Sequence, residues 1–179
     1  MILYPKAYFQ NVREISLEFL TQNNIKALIL DVDNTLIDYD KKLEVSTIEW
    51  ANKLKESGIK LYILSNTNKK EKVEKVSKEL KIKYEYFAKK PLKIGFKKVQ
   101  KELQEKSENI GVVGDQIFTD IIGGNRCKMF TILVEPISEK DIWITMIKRP
   151  IENSIKKHYQ KTKEGNVWQV CHTYNKKCI

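Results

Sequence analysis

Leu28-Ile29-Leu30-Asp31-Val32-Asp33-Asn34-Thr35-Leu36 is an apolar run that stops at two carboxylates one residue apart, then a turn-forming Asn and a hydroxyl. Ala27 to Leu30 is short, apolar and closed by Asp, the pattern of a strand buried on both faces of a parallel sheet. The C-terminal end of such a strand lies at the sheet edge where open α/β folds bind ligands. Asp31 and Asp33 are therefore delivered together to that edge. Carboxylates this close repel unless a cation lies between them or one keeps a proton. One Asp could serve as a turn former; a pair following four buried apolar residues calls for a function.

Strand and helix patterns alternate on either side of this stretch. Upstream, Met1 to Gln10 is too irregular to assign, and Asn11 to Thr21 reads as a helix with Val12, Ile15, Phe19 and Leu20 on one face. Downstream, Asp38 to Glu44 is a polar loop, and Ser46 with Glu49 makes a capping box for a helix presenting Ile48, Ala51 and Leu54. Gly58 supplies its left-handed stop. Ile59 to Leu64 is the second strand and Lys69 to Leu80 a helix with Val73, Val76 and Leu80 inward. Tyr84 to Phe87 is the third strand, followed by a helix bearing Phe96, Val99 and Leu103. Ile110 to Val113 is the fourth, Thr119 to Gly123 a short helix, and Phe130 to Val134 the fifth. Strands alternating with helices at this spacing mean right-handed βαβ units: an α/β domain with a five-stranded parallel sheet between two helical layers.

The polar landmarks follow the strands: Asp31 and Asp33 the first, Ser65 and Asn66 the second, Lys90 the third, Asp115 the fourth. Parallel strand ends share one edge, so these groups converge.

The chain has 179 residues, 41% hydrophobic and 31% charged. That is room for one domain with an appendage: a core over 1–136, a basic amphipathic helical extension over 137–163 and a tail over 164–179. No apolar run approaches the roughly 20 residues needed to span a bilayer, and the start lacks a signal-peptide pattern. Cys127, Cys171 and Cys178 form no even disulfide framework, Cys171, His172 and Cys178 show no zinc spacing, and His158 and His172 lie outside the polar landmarks. The expectation is a cytoplasmic protein. Net charge is +10, carried by 30 lysines and only three arginines, Arg13, Arg126 and Arg149. A nucleic-acid reader ordinarily uses more Arg, so the charge points instead to general composition or to an anionic substrate or membrane surface.

Asp31-Val32-Asp33-Asn34-Thr35, Ser65-Asn66, Lys90-Pro91 and Gly114-Asp115 with Asp120 resemble, in order and spacing, the four motifs of the haloacid dehalogenase superfamily. The run Gly114 to Arg126 and the stretches Ser65 to Asn68 and Ala88 to Pro91 look like the YqeG-type group of its subclass IIIA, related to mitochondrial phosphatidylglycerophosphate phosphatases. The resemblance implies strand order 5-4-1-2-3 and a phosphatase working through an aspartyl phosphate. Asp31 would be the nucleophile and Asp33 the general acid/base. Mg²⁺ would be held by Asp31, the Asp33 carbonyl and Asp115. Ser65 and Lys90 would bind the phosphoryl group, with Asn34 or Asn66 assisting. Asp120 would orient Lys90 or a metal-bound water, and Thr35 would fix the turn. Lys89 competes with Lys90, which is preferred because it directly precedes Pro91.

Neither the gap from Thr35 to Ser65 nor that from Asn66 to Lys90 has residues to spare for a cap domain. An open edge suits a bulky or surface-presented substrate. Between Lys69 and Lys106 lie fourteen lysines and six glutamates, and the helix over 140–163 interleaves apolar and basic residues, either packing on the core or lying on anionic lipid. The implied substrate is phosphatidylglycerophosphate. Two alternatives stay open: a soluble phosphate ester or phosphoprotein as substrate, and a basic RNA- or ribosome-binding module on the same fold. Oligomeric state is not legible in the chain.

Overall fold

The computed structural model describes residues 2–37 and 42–138, which belong to the compact unit Met1–Asp141. The expected 137–163 extension and 164–179 tail lie, beyond residue 138, outside the described residues.

Six parallel strands form the sheet: β1 (Ala7–Phe9), β2 (Ala27–Leu30), β3 (Lys60–Leu64), β4 (Lys83–Glu85), β5 (Ile110–Gly114) and β6 (Phe130–Val134), in the order β1-β6-β5-β2-β3-β4. The five expected strands are present in the expected order. The sixth, β1, corrects the expectation for the first ten residues. It pairs Ala7 with Ile132 and Phe9 with Val134, so its extended form is set by the β6 edge and not by a local pattern.

The helices are α1 (Leu17–Gln22), α2 (Val45–Glu56), α3 (Lys70–Leu80), α4 (Lys93–Leu103) and α5 (Ile122–Arg126). The single helix expected over 11–21 is in fact a 3₁₀ turn, Val12–Glu14, followed by α1. The break has a cause: the Ser16 hydroxyl accepts from the Phe19 N–H and caps a new helix start. The expected Ser46–Glu49 capping box is likewise absent. The helix begins two residues earlier, at Val45, and the Ser46 hydroxyl is engaged by Arg13, which also pairs with Glu44. Gly58 does adopt φ +86°, ending α2 as expected.

Alternation along β2, β3 and β5 sends Ala27, Ile29, Tyr62, Leu64, Ile110 and Val112 to one face, where they pack with Phe96, Val99 and Leu103 of α4. Helices α2 and α3 pack against each other, α2 also on β3 and α3 also on β4. Between Thr35 and Ser65 the described chain contains a loop, α2 and β3; between Asn66 and Lys90 it contains α3 and β4. No cap domain interrupts either gap among the described residues. Among the described residues, no helix is long and apolar enough to cross a membrane.

Candidate active site

The strand ends converge as parallel topology requires. β2 lies between β3 and β5, so the residues following it meet those following its neighbours. The Asp31 N–H donates to the Val113 carbonyl at 2.9 Å, which locks Asp31 beside the end of β5.

At the centre, the Lys90 ammonium donates to Asp31 Oδ1 and to Asp120 Oδ1, each at 2.6 Å, and all three side chains are buried. Asp115 completes the group: carboxylate oxygens of Asp31, Asp115 and Asp120 lie within 4.8 Å of one another. The Thr35 hydroxyl reaches Asp115 Oδ1 at 3.4 Å, tying the loop after β2 to the loop after β5. Asp120 was expected to orient Lys90 or a metal-bound water; it contacts Lys90 and also joins the carboxylate cluster itself.

Lys90 is held from both sides of its backbone. The Asn66 carboxamide accepts from the Lys90 N–H at 2.6 Å and donates to the Lys90 carbonyl at 2.9 Å. The Asn66 carboxamide oxygen and one of its two N–H groups are therefore committed to Lys90. Ser65 is buried, its hydroxyl accepts from the Thr67 N–H at 3.2 Å, and its carbonyl accepts from the Ala88 N–H at 3.0 Å. These bonds join the loops after β3 and β4. Lys89 is exposed over the Phe87 ring, whereas Lys90 is the lysine that reaches the carboxylates.

Asn34 sits at φ +60° as the left-handed residue of the loop after β2, and its carbonyl accepts from Ile137. Asn tolerates that conformation better than most side chains. Asp33 is part-exposed and forms an ion pair with Lys72 of α3. Lys72 escaped the sequence reading, because one lysine among the fourteen between residues 69 and 106 carries no distinguishing signal.

Gly114 has a packing reason to lack a side chain: a Cβ there would fall 2.3 Å from the Asp120 carboxyl carbon. Gly123 lets the Phe96 ring approach, and Gly124 admits Thr131 and Val112. Asn125 donates to the carbonyls of Ile2 and Tyr4, and Arg126 to that of Pro91. This half of the Gly114 to Arg126 run is scaffolding.

Burial pushes the Asp31 carboxyl up to about 6; Lys90 opposes that rise and Asp120 adds to it. Burial, followed by the charges of Asp31 and Asp120, raises Asp115 well above the carboxylate range. Burial works against the Lys90 ammonium, but Asp120 and Asp31 outweigh it and hold the ammonium charged. Three carboxylates and one ammonium leave a formal charge of −2 in a buried space (−3 + 1). That deficit and the all-oxygen donor set fit a hard divalent cation such as Mg²⁺.

A Rossmann-like fold with an acidic cluster at its strand ends is the arrangement that the haloacid dehalogenase-like motifs of the sequence imply. The chain belongs to the family described as Mitochondrial PGP phosphatase, whose profile matches residues 1–138. It is 38% identical over 152 residues to the Probable phosphatase YqeG of Bacillus subtilis, covering 84% of this chain and 88% of that one. Solved structures agree on the fold. An uncharacterised protein from Listeria monocytogenes superposes with TM-score 0.53 at 22% identity over 66% of this chain and 85% of that one. The cobalt-bound deoxy-D-mannose-octulosonate 8-phosphate phosphatase of Haemophilus influenzae gives TM-score 0.50 at 16% identity, over 82% and 96%.

Proposed function

We propose that the chain is a Mg²⁺-dependent phosphomonoesterase that removes the terminal phosphate of phosphatidylglycerophosphate through an aspartyl phosphate on Asp31. The observation that carries the chemistry is the Lys90 ammonium bridging Asp31 and Asp120 inside a buried carboxylate cluster. The lipid substrate is supported by the family name, the uncapped edge and the lysine-rich flank.

Asp31 attacks phosphorus, the phosphorus–oxygen ester bond breaks, and Asp33 gives its proton to the departing alkoxide. Asp33, now a carboxylate, takes a proton from water as that water attacks the phosphoryl group. Asp31 is released together with inorganic phosphate. Lys90 offsets charge on the equatorial oxygens, Ser65 donates to one of them, and the Asn66 backbone N–H assists, whereas the Asn34 N–H is taken by the Ile37 carbonyl at 3.0 Å. Asp120 aims Lys90, and Lys72 restrains Asp33. Asp31, the Asp33 carbonyl and Asp115 would hold the cation, with Asp120 beside them. When bound, the cation neutralises the repulsion between nucleophile and phosphate.

Turnover of phosphatidylglycerophosphate in mixed micelles, set against a panel of soluble phosphate esters, tests the substrate. A marked preference for the lipid is expected, and equal rates would exclude it. Asp31→Asn should abolish turnover with the fold intact, and Lys90→Ala should lower kcat by about 10²–10³. Full activity in Asp31→Asn would overturn the mechanism.

A further inference from the structure

The segment that carries Lys90 inward presents a second set of residues outward. Phe87 is 56% exposed, Leu92 45%, Ile94 75% and Tyr86 37%. Four large apolar or aromatic side chains within nine residues, all facing water, make an unusual surface for a soluble domain. They do not cover the core: the inward face of α4 is already filled by Gly95, Phe96, Val99 and Leu103.

The backbone holds this arrangement. Phe87 lies at φ +51° and Lys89 at φ +54°, the left-handed region that bulky side chains rarely adopt. That conformation turns the Phe87 ring outward while Ala88 and Lys90 between and beside them stay buried. The loop is pinned by hydrogen bonds from the Phe87 N–H to Thr67 and from the Ala88 N–H to Ser65. Strain of this kind persists where the surroundings over-determine it and is often tied to function.

The charge around the patch has one sign. From Tyr86 to Lys101 there are six lysines and no acid. Lys89, Lys93, Lys97 and Lys98 are exposed, Lys89 lies over the Phe87 ring at 5.3 Å, and Lys98 pairs with Glu85 at 2.7 Å. Aromatic and aliphatic tips ringed by lysine ammoniums suit the boundary of an anionic bilayer, where rings sit at headgroup depth and lysines meet lipid phosphates.

We infer that the segment from Tyr86 to Ile94, the loop after β4 and the first residues of α4, is a membrane-docking element that seats the open site edge on an anionic lipid surface. The inference rests on the proposed lipid substrate only for the reason a bilayer should meet this edge. Docking here places the site mouth against headgroups without extracting the lipid, because the loop that inserts also carries Lys90.

Flotation of the full chain with phosphatidylcholine vesicles, with and without about one phosphatidylglycerol in three, tests it. Wild type is expected to float with the anionic vesicles and to be released by salt. Phe87→Ser combined with Ile94→Ser should lower partitioning at least about tenfold. Lys93→Glu combined with Lys97→Glu should lower it about as much, on anionic vesicles only. Both double variants should keep the wild-type Tm and turn over a soluble chromogenic phosphate ester within about twofold. Wild type that fails to float, or a Phe87/Ile94 variant that floats undiminished, overturns the proposal. So does loss of self-association, in place of loss of lipid binding, in that variant. If wild type floats through this loop yet leaves phosphatidylglycerophosphate intact, docking stands and the substrate reading falls. Lipid turnover with flotation indifferent to the loop gives the reverse.

Discussion

Lys90 lies between Asp31 and Asp120 at 2.6 Å from each, so one ammonium offsets charge in a cluster of three buried carboxylates. Its single charge is not enough for all three, and burial pushes Asp31 up to about 6 and holds Asp115 well above the usual carboxylate range. A carboxyl raised above its unfolded value makes the native state hold protons that the unfolded chain has already lost. Its stabilising contribution is therefore full below about pH 4 and is lost as pH rises through about 6 and beyond. Metal-free protein should accordingly lose stability from pH 5 to pH 7.5, while a divalent cation, which needs the deprotonated carboxylates, restores it. The Tm gain on adding Mg²⁺ is expected to be small at pH 5 and to grow steadily to pH 7.5. A gain that does not change with pH, measured by thermal scans across that range, would contradict this account of the cluster.

At the scale of elements, glycines decide how closely the loop after β5 can approach its neighbours. A Cβ on Gly123 would lie 2.3 Å from the Phe96 ring and 3.3 Å from the Pro91 backbone. Phe96 is fully buried between α4 and the sheet, so it has nowhere to retreat. Gly123→Ala should cost about 1–3 kcal/mol by overpacking. It should also push α5 off the segment holding Lys90, lowering kcat more than it changes KM. Denaturant melts and steady-state kinetics on the one variant read both effects, and an unaltered midpoint would refute the packing argument. The same geometry explains why the glycines of this run sit where they do: they allow contact, with no positive φ involved.

Across the whole molecule, the N-terminal segment closes the sheet. β1 covers the outer edge of β6, Phe9 is buried, the Lys6 N–H donates to the Thr131 carbonyl at 2.8 Å, and Asn125 grips the carbonyls of Ile2 and Tyr4. Without it, the apolar β6 would present an unpaired edge, a template for association with other chains. Deleting residues 2–9 should lower stability by at least about 2 kcal/mol, from loss of Phe9 burial alone. It should also produce concentration-dependent aggregation, detectable by light scattering. A truncated chain that stays monomeric with an unchanged Tm would show that β1 is dispensable.

The strand-ending Asp31-Val32-Asp33, Ser65, Lys90 and Asp115 were readable from the chain because period and polarity are local properties. A buried parallel strand must be apolar, and the first polar residue after it must lie at the sheet edge. Helix faces such as Val73, Val76 and Leu80, or Phe96, Val99 and Leu103, followed from spacing for the same reason. Other features depend on distant partners and leave no local mark. β1 is a strand because β6 offers it an edge, and Ser46 is no cap because Arg13 takes its hydroxyl. Lys72 differs from its many neighbouring lysines only in facing Asp33. Sequence determined which chemical groups gather at one edge. Tertiary structure alone decided that Asp120 joins the carboxylate cluster and that Lys72 pairs with Asp33, because burial and charge balance are properties of a folded space.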